Sequence, residues 1–70
     1  MIFLTTPGIR TKYEETEILL VFQCFFRQHR KNPENDLFIF ELENERIWIK
    51  IDKSPDKETA TMLLPEEGQR

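Results

Sequence analysis

The sequence predicts an α+β domain in which one amphipathic helix packs on a three- or four-stranded antiparallel sheet, in the order (β)-α-β-β-β. Two observations lead to this prediction. Alternating apolar and polar residues lie on both sides of Asn44-Glu45, a pattern typical of a β-hairpin. Apolar residues also recur at helical spacing within residues 11–32. Because neither element can bury its apolar face alone, the two are expected to pack as layers.

Length and composition restrict the alternatives. The chain has 70 residues, of which 39% are hydrophobic and 33% charged, a balance typical of a single folded domain over residues 1–70. A domain of this size has a marginal core. One cysteine and one histidine provide neither an internal disulfide nor a structural zinc site. We therefore expect self-association to support the fold, and we expect no cofactor and no metal.

The first half of the chain is expected to contain a short extended segment and then the helix. Residues 1–6 end at Pro7-Gly8 and are predicted to form an edge strand or an arm, paired within the chain or across subunits. Thr11 and Glu14 match a capping box, which starts the helix at residue 11, and Asn32-Pro33 ends it at residue 32. The core-facing stripe consists of Ile18, Val21, Phe22, Phe25 and His29, with Leu19 and Phe26 at its margin.

The second half of the chain is expected to form the sheet. Strands are predicted over 37–43, 46–52 and 58–64, the third antiparallel to the second because the polar turn at residues 52–57 that joins them is short. Residues 66–70 are expected to fray. Pairing Glu43 with Arg46 fixes the hairpin register, since a slip by one residue would turn the apolar side chains into water. The predicted helix-facing side chains are Phe38, Phe40, Leu42, Ile47, Ile49 and Ile51.

Two apolar surfaces are left over by this arrangement. The candidate interface on the outer face of the hairpin consists of Leu37, Ile39, Glu41, Trp48 and Lys50. A second candidate interface, on the back of the helix, consists of Tyr13, Leu20, Cys24 and Arg27. Apolar patches rimmed by charge are typical of protein–protein interfaces. Isolated exposed apolar residues are also common, and the N-terminal arm is an alternative cover for one of the two patches.

Combinations of residues that would indicate catalysis have simpler explanations. Cys24 and His29 lie about 140° apart around a helix, which excludes a nucleophile–base pair within one chain. Glu41 and Glu43 beside Arg46 are explained by cross-strand ion pairing. The two glycines are isolated and form no phosphate-binding loop. The chain is therefore not expected to be an enzyme.

Charge and hydropathy restrict the partners. Residues 36–70 contain five basic and nine acidic residues, which argues against nucleic acid as the main partner despite the basic cluster Arg27, Arg30 and Lys31. Residues 1–4 lack the basic start and long apolar region of a signal peptide, and residues 18–26 are too short to span a bilayer. We therefore expect a cytoplasmic protein with no membrane partner.

Together these features predict a small soluble protein–protein interaction module that acts as a regulator, adaptor or inhibitor. Two apolar patches around a marginal core further predict a homo-oligomer that also binds a second protein, whose identity the sequence does not give. The alternative is a module that binds a small ligand or nucleic acid at a subunit interface.

Overall fold

The computed structural model describes residues 1–68. Within them the order of elements is β-α-α-β-β-β-α, which confirms the predicted α+β class and differs from the predicted number and order of helices. The elements are β1 (Ile2–Thr5), α1 (Pro7–Lys12), α2 (Glu15–Lys31), β2 (Leu37–Leu42), β3 (Glu45–Lys53), β4 (Glu58–Leu63) and α3 (Pro65–Gly68).

The described strands form one mixed sheet in the order β1-β4-β3-β2. β2, β3 and β4 are antiparallel neighbours, but β1 is parallel to β4, with Phe3 opposite Ala60. The prediction of an entirely antiparallel sheet is therefore wrong. The helices return the chain to the end of the sheet where β1 began, so β2 runs in the same direction as β1. Two antiparallel steps later, β4 has that direction again.

Residues 7–12, expected to contain a turn and the start of the long helix, form the separate helix α1. The Thr6 hydroxyl accepts a hydrogen bond from the Ile9 amide at 3.5 Å. Pro7 occupies the first turn, where the backbone amides have no partner within the helix, so the missing N–H of proline costs no hydrogen bond. Ile9 is completely buried in the core. Proline thus begins a helix here and not the turn that the Pro7-Gly8 pair predicts.

The long helix α2 begins at Glu15, not at residue 11. Tyr13 has an extended backbone and ends α1. At the start of α2, the Glu17 carboxylate accepts a hydrogen bond from the Glu14 amide at 3.0 Å. The prediction that Thr11 caps the long helix is wrong, because Thr11 lies in α1. Thr11-Glu14 and Glu14-Glu17 have the same three-residue spacing, so the spacing alone does not distinguish the two starts.

The hairpin turn consists of Glu43 and Asn44, whose φ angles are 53° and 65°. Positive φ at both central residues is the mark of a type I′ turn, the form that suits the twist of paired strands. The predicted turn was one residue too late, so Phe40 pairs with Ile47 and not with Ile49. A shift of two residues in the pairing leaves every side chain on its predicted face.

The core lies between α2 and the inner face of the sheet. The ring of Phe25 packs edge-on against Phe38 at 5.3 Å, and Ile49 and Met62 are completely buried beside them. Phe40 is only half-buried at the margin. The buried cluster consists of Ile9, Tyr13, Val21, Phe22, Phe25, Phe38, Ile47, Ile49, Ile51, Ala60, Met62 and Leu64.

The segment after β4 is helical through Gly68, so the expectation of fraying from residue 66 is wrong for residues 66–68; residues 69 and 70 lie outside the described part. The Glu67 carboxylate accepts hydrogen bonds from the Leu64 amide at 2.9 Å and the Thr6 hydroxyl at 2.6 Å. It also accepts one from the Gly8 amide at 3.3 Å. Glu67 therefore connects α3 to the start of α1.

Candidate interaction surfaces

The predicted interface on the hairpin lies on one face of the sheet, as its spacing requires. Leu37 and Ile39 are 41% and 56% exposed, and Glu41 and Lys50 are exposed as well. The register places Ile39 opposite Trp48 and Leu37 opposite Lys50. We call Leu37, Ile39 and Glu41, together with the free edge of their strand, the β2 surface. Its use as an interface stays a prediction.

Trp48 differs from the other residues of that predicted interface because it is half-buried. A Cβ atom added to Gly68 would lie 3.2 Å from the Trp48 ring and 2.9 Å from Leu63 Cδ1. The end of α3 therefore covers the indole, and Leu63 is buried next to it. The expectation that no element of the chain covers Trp48 is wrong, because the segment that does so was assigned to a frayed tail.

The second predicted interface does not hold together as a group. Leu20, Cys24 and Arg27 are exposed on α2, but Tyr13 is 6% exposed and belongs to the core. The helical wheel that placed Tyr13 with Leu20 assumed one continuous helix. The break between α1 and α2 turns the Tyr13 ring inward instead.

Burial has an electrostatic consequence for Tyr13. Its hydroxyl has no hydrogen-bond partner among residues 1–68. Desolvation raises the pKa of the phenol above 10.0, and the carboxylates of Glu43, Glu17 and Glu66 raise that pKa further. A phenol whose pKa is raised keeps its proton at neutral pH, which makes it a poor nucleophile or general base.

An apolar groove, absent from the predictions made from the sequence, lies between β1 and α2. The Phe3 ring packs edge-on against Phe22 at 5.0 Å and Phe26 at 5.1 Å. Leu19, 54% exposed, lies on the solvent side. The helix groove, as we call it, has a volume of about 310 Å³ and is lined by Phe3, Glu15, Ile18, Leu19, Phe22, Gln23 and Phe26.

The sequence contained part of the signal for the helix groove. Leu19 and Phe26 stood at the margin of the core stripe, and residues 1–4 are apolar. What the sequence does not specify is the position of Phe3, which depends on the parallel pairing of β1 with β4. Without that pairing, the apolar side chains of the two segments cannot be placed beside each other.

The basic cluster lines a separate hollow of about 460 Å³ formed by Arg27, Arg30 and Lys31. These residues lie in the last turns of α2, where positive charge stabilises the negative end of the helix dipole. Trp48 lies on the outer face of the sheet, on the side opposite α2. The cluster and Trp48 therefore do not form a joint platform for stacking nucleic-acid bases.

Cys24, His29 and Glu41, the residues weighed as catalytic groups, do not come together in the structure. Cys24 is exposed, while the His29 imidazole stacks on Phe25 with centroids 5.3 Å apart. Glu41 lies opposite Arg46 in the strand register, the place at which the predicted register put Glu43, and within residues 1–68 no ion pair joins either glutamate to Arg46. Within residues 1–68, no three acidic, histidine or cysteine side chains are grouped to bind a metal ion.

Comparison with known proteins adds no family: the chain matches no family model, no curated protein and no solved structure. Among the helices of residues 1–68, none combines the length and the apolar character needed to cross a membrane.

Proposed function

We propose that this protein is a small interaction module that acts as a regulator, adaptor or inhibitor by binding another protein, and that it also self-associates. The observation that carries this proposal is the amount of apolar surface left exposed around a small core. Large apolar side chains are exposed on both sides of the sheet, a distribution that favours interfaces over isolated surface residues. They are Met1, Ile2, Phe3, Leu4, Leu19, Leu20, Phe26, Leu37 and Ile39.

The two surfaces lie on different sides of the molecule, so two partners would not compete. The helix groove lies between α2 and β1, and the β2 surface lies at the opposite edge of the sheet. We assign self-association to the β2 surface and the second protein to the helix groove. This division gives an adaptor or inhibitor its two required contacts, one between copies and one to the target.

The lining of the helix groove indicates what kind of segment it would bind. Apart from Glu15 and Gln23 its walls are aliphatic and aromatic, which suits the apolar face of an amphipathic helix. Glu15 lies near the start of α2 and Arg27, Arg30 and Lys31 near its end. A bound helix with a basic residue near Glu15 and acidic residues near the basic cluster would complement both ends.

The lone cysteine is exposed and unpaired, which agrees with a reducing compartment, and we propose a cytoplasmic location. A disulfide is not required for the core, since its buried residues are apolar and packed between α2 and the sheet.

Adjacent leucines provide a matched test of the helix groove. Leu19 lines the groove, whereas Leu20 is equally exposed, at 53%, and does not line it. Proteins captured from native cells by the wild type would be compared with those captured by Leu19→Glu and Leu20→Glu, and each candidate would then be purified and titrated by calorimetry. We expect Leu19→Glu to weaken binding at least about tenfold and Leu20→Glu to leave the affinity nearly unchanged.

Each result distinguishes a surface. Loss of binding in Leu20→Glu alone would move the partner to the face that carries Leu20, Cys24 and Arg27. Equal binding by all three proteins would exclude α2 as the contact. Failure of every captured candidate to bind in purified form would contradict the proposal of a protein partner. Circular dichroism of both variants checks that the added charge leaves the helices intact.

A further inference from the structure

We propose that β2 pairs with β2 of a second copy, antiparallel and around a two-fold axis at Ile39, so that one sheet continues through both copies. This inference rests on the proposed self-association and specifies its strand, direction and register. It follows from the hydrogen-bonding groups left free at the two edges of the sheet.

The β1 edge is short and partly blocked. The Thr6 amide donates to the Met62 carbonyl at 3.1 Å, so the backbone groups of Thr6 point toward β4. Alternation along the strand then points those of Phe3 and Thr5 toward the free edge. Arg10 Nη1 donates to the Thr5 carbonyl at 2.6 Å and so occupies one of these groups. A short edge strand guarded by a charged side chain is a recognised protection against pairing.

The β2 edge lacks this protection. The Ile51 amide donates to the Asp36 carbonyl at 2.8 Å, which makes residues 36 and 51 a hydrogen-bonded pair. Antiparallel pairs alternate, so the next bonded pairs begin at residues 38, 40 and 42. The amides and carbonyls of Leu37, Ile39 and Glu41 therefore point away from β3. Within residues 1–68 no other backbone group hydrogen-bonds to them, since β2 is the edge strand.

Sequence and shape support pairing at this edge. β2 has six residues, contains neither lysine nor proline, and carries a single charge at Glu41. Such long, apolar edges are the ones that recruit another strand. A hollow of about 510 Å³ is lined by Ile39, Phe40, Glu41 and Arg46. Phe40 belongs to the inner face and the other three to the outer face, so the hollow lies along the free edge itself.

Two-fold symmetry restricts the register. Opposing residues of an antiparallel pair point to the same face of a sheet, so the axis must pass through a residue and not between two residues. Ile39 and Phe40 are the two centres that overlap most of β2. Centring on Ile39 pairs Phe38 with Phe40 of the second copy on the inner face. It also pairs Leu37 with Glu41 of the second copy on the outer face.

Glu41 decides between the two centres. With the axis at Ile39, Glu41 lies opposite Leu37 of the second copy, which is paired in its own sheet with Lys50. The carboxylate then lies in one row with two cations, next to Arg46 of its own copy and one strand beyond Leu37 from Lys50 of the second copy. With the axis at Phe40, Glu41 would face Ile39 of the second copy, beside Trp48, and would lose solvent without gaining a cation.

Cysteine cross-linking tests this register, in a background where Cys24→Ser removes the exposed thiol. Ile39→Cys would meet itself across the axis at about 5.5 Å between Cα atoms, within the range for a disulfide. The Leu37→Cys residues of the two copies are offset by about 13 Å along the strands, because four residues separate them in this register, and so they are too far apart for a disulfide. In a mixture of the Leu37→Cys and Glu41→Cys proteins, the cysteine at position 37 of one copy would lie opposite the cysteine at position 41 of the other.

We expect a covalent dimer from Ile39→Cys alone and from the Leu37→Cys and Glu41→Cys mixture, and none from Leu37→Cys alone. A different result would overturn the register: cross-linking in a mixture of Ile39→Cys and Glu41→Cys, without cross-linking in the mixture of Leu37→Cys and Glu41→Cys, would favour an axis at Phe40. Cross-linking of every variant with itself would show parallel strands and overturn the antiparallel pairing.

A backbone variant separates this inference from the wider proposal. Ile39→Pro removes an amide that points to the free edge and leaves the β3 pairing intact, since proline is tolerated at edge positions. We expect it to raise the dimer dissociation constant at least about tenfold, measured by light scattering after size exclusion, while Leu20→Glu leaves that constant unchanged.

An oligomeric wild type that neither Ile39→Pro nor Ile39→Lys disrupts would overturn the β2 pairing and leave self-association standing. A monomeric wild type would overturn both, and circular dichroism shows whether each variant remains folded.

Discussion

The Glu67 carboxylate accepts hydrogen bonds from the Thr6 hydroxyl, the Leu64 amide and the Gly8 amide. These bonds, that from Thr6 foremost, lower the pKa of Glu67 below its ordinary value of 4.5. A lowered pKa means that Glu67 contributes stability above pH 4.5, and that this contribution is lost as the pH falls through the lower folded-state pKa.

We predict that Glu67→Gln lowers stability near neutral pH and reduces the further loss on acidification. Urea unfolding of both proteins between about pH 7 and about pH 3 would measure the two slopes. Glu66→Gln is the control, because Glu66 is in the same turn and makes none of these bonds. Parallel stability curves for the wild type and Glu67→Gln would contradict the assigned role.

Tyr13 illustrates an unsatisfied group inside the core. Its ring is buried, but its hydroxyl has no partner among residues 1–68, so the hydroxyl loses its hydration without compensation. We predict that Tyr13→Phe stabilises the fold by about 1 kcal/mol, because it removes the desolvated group and keeps the ring. Equilibrium unfolding in urea at neutral pH provides the measurement.

The pH dependence gives an independent check on Tyr13. Its raised pKa means that the unfolded chain releases the phenolic proton more readily, so the wild type loses stability as the pH rises above 10.0. Tyr13→Phe should lack this alkaline loss. A destabilisation of more than about 1 kcal/mol at neutral pH would show that the hydroxyl has a partner after all.

At the scale of single elements, the β-hairpin contains a local conflict between sequence and conformation. Glu43 has a φ of 53°, a left-handed conformation that a residue with a long side chain adopts at a cost of about 1 kcal/mol or more. Asparagine tolerates this conformation and is the preferred first residue of a type I′ turn. We predict that Glu43→Asn stabilises the protein by about 1 kcal/mol.

Thermal and urea unfolding of Glu43→Asn would be compared with those of Glu34→Asn. Glu34 is also exposed and acidic, but its φ is not positive, so the same substitution should change stability by less than about 0.5 kcal/mol. Equal stabilisation by both variants would indicate that the lost negative charge, and not the turn, is responsible.

The elements differ in how far the sequence predicts them. The inner face of β2 and β3 could be predicted because alternation fixes the face even when the register is shifted by two residues. The helix start could not, since Thr11 and Glu14 both begin segments with capping-box spacing. The turn was misplaced because Asn44 was assigned to its first position, whereas it occupies the second.

For the molecule as a whole, the outer-face residues Leu37, Ile39 and Glu41 could be predicted, since they need only the alternation within one hairpin. The cover over Trp48 and the helix groove could not. Both depend on contacts between segments far apart in the chain, namely α3 with the sheet and Phe3 with α2. Local patterns do not encode such pairings, because several placements of a short apolar segment satisfy the same alternation.

The two ends of the described chain meet on the sheet, and this contact leads to the last prediction. α3 covers Trp48 and Leu63 on the outer face, and Glu67 connects it to Thr6 at the start of α1. Removing residues 65–70 should therefore expose the indole and remove the hydrogen bonds of Glu67 to the start of α1. We predict a lower unfolding midpoint and a shift of the fluorescence maximum to longer wavelength, a shift reported by Trp48 alone because it is the only tryptophan.

Removing residues 69 and 70 alone is the control, since α3 ends at Gly68 and its contacts would remain. The fluorescence must be measured at a concentration where the wild type and both shortened proteins are monomeric, because pairing of β2 in a second copy would also change the surroundings of the outer face. An unchanged emission maximum in the shorter protein, under those conditions, would show that α3 does not shield Trp48 in solution.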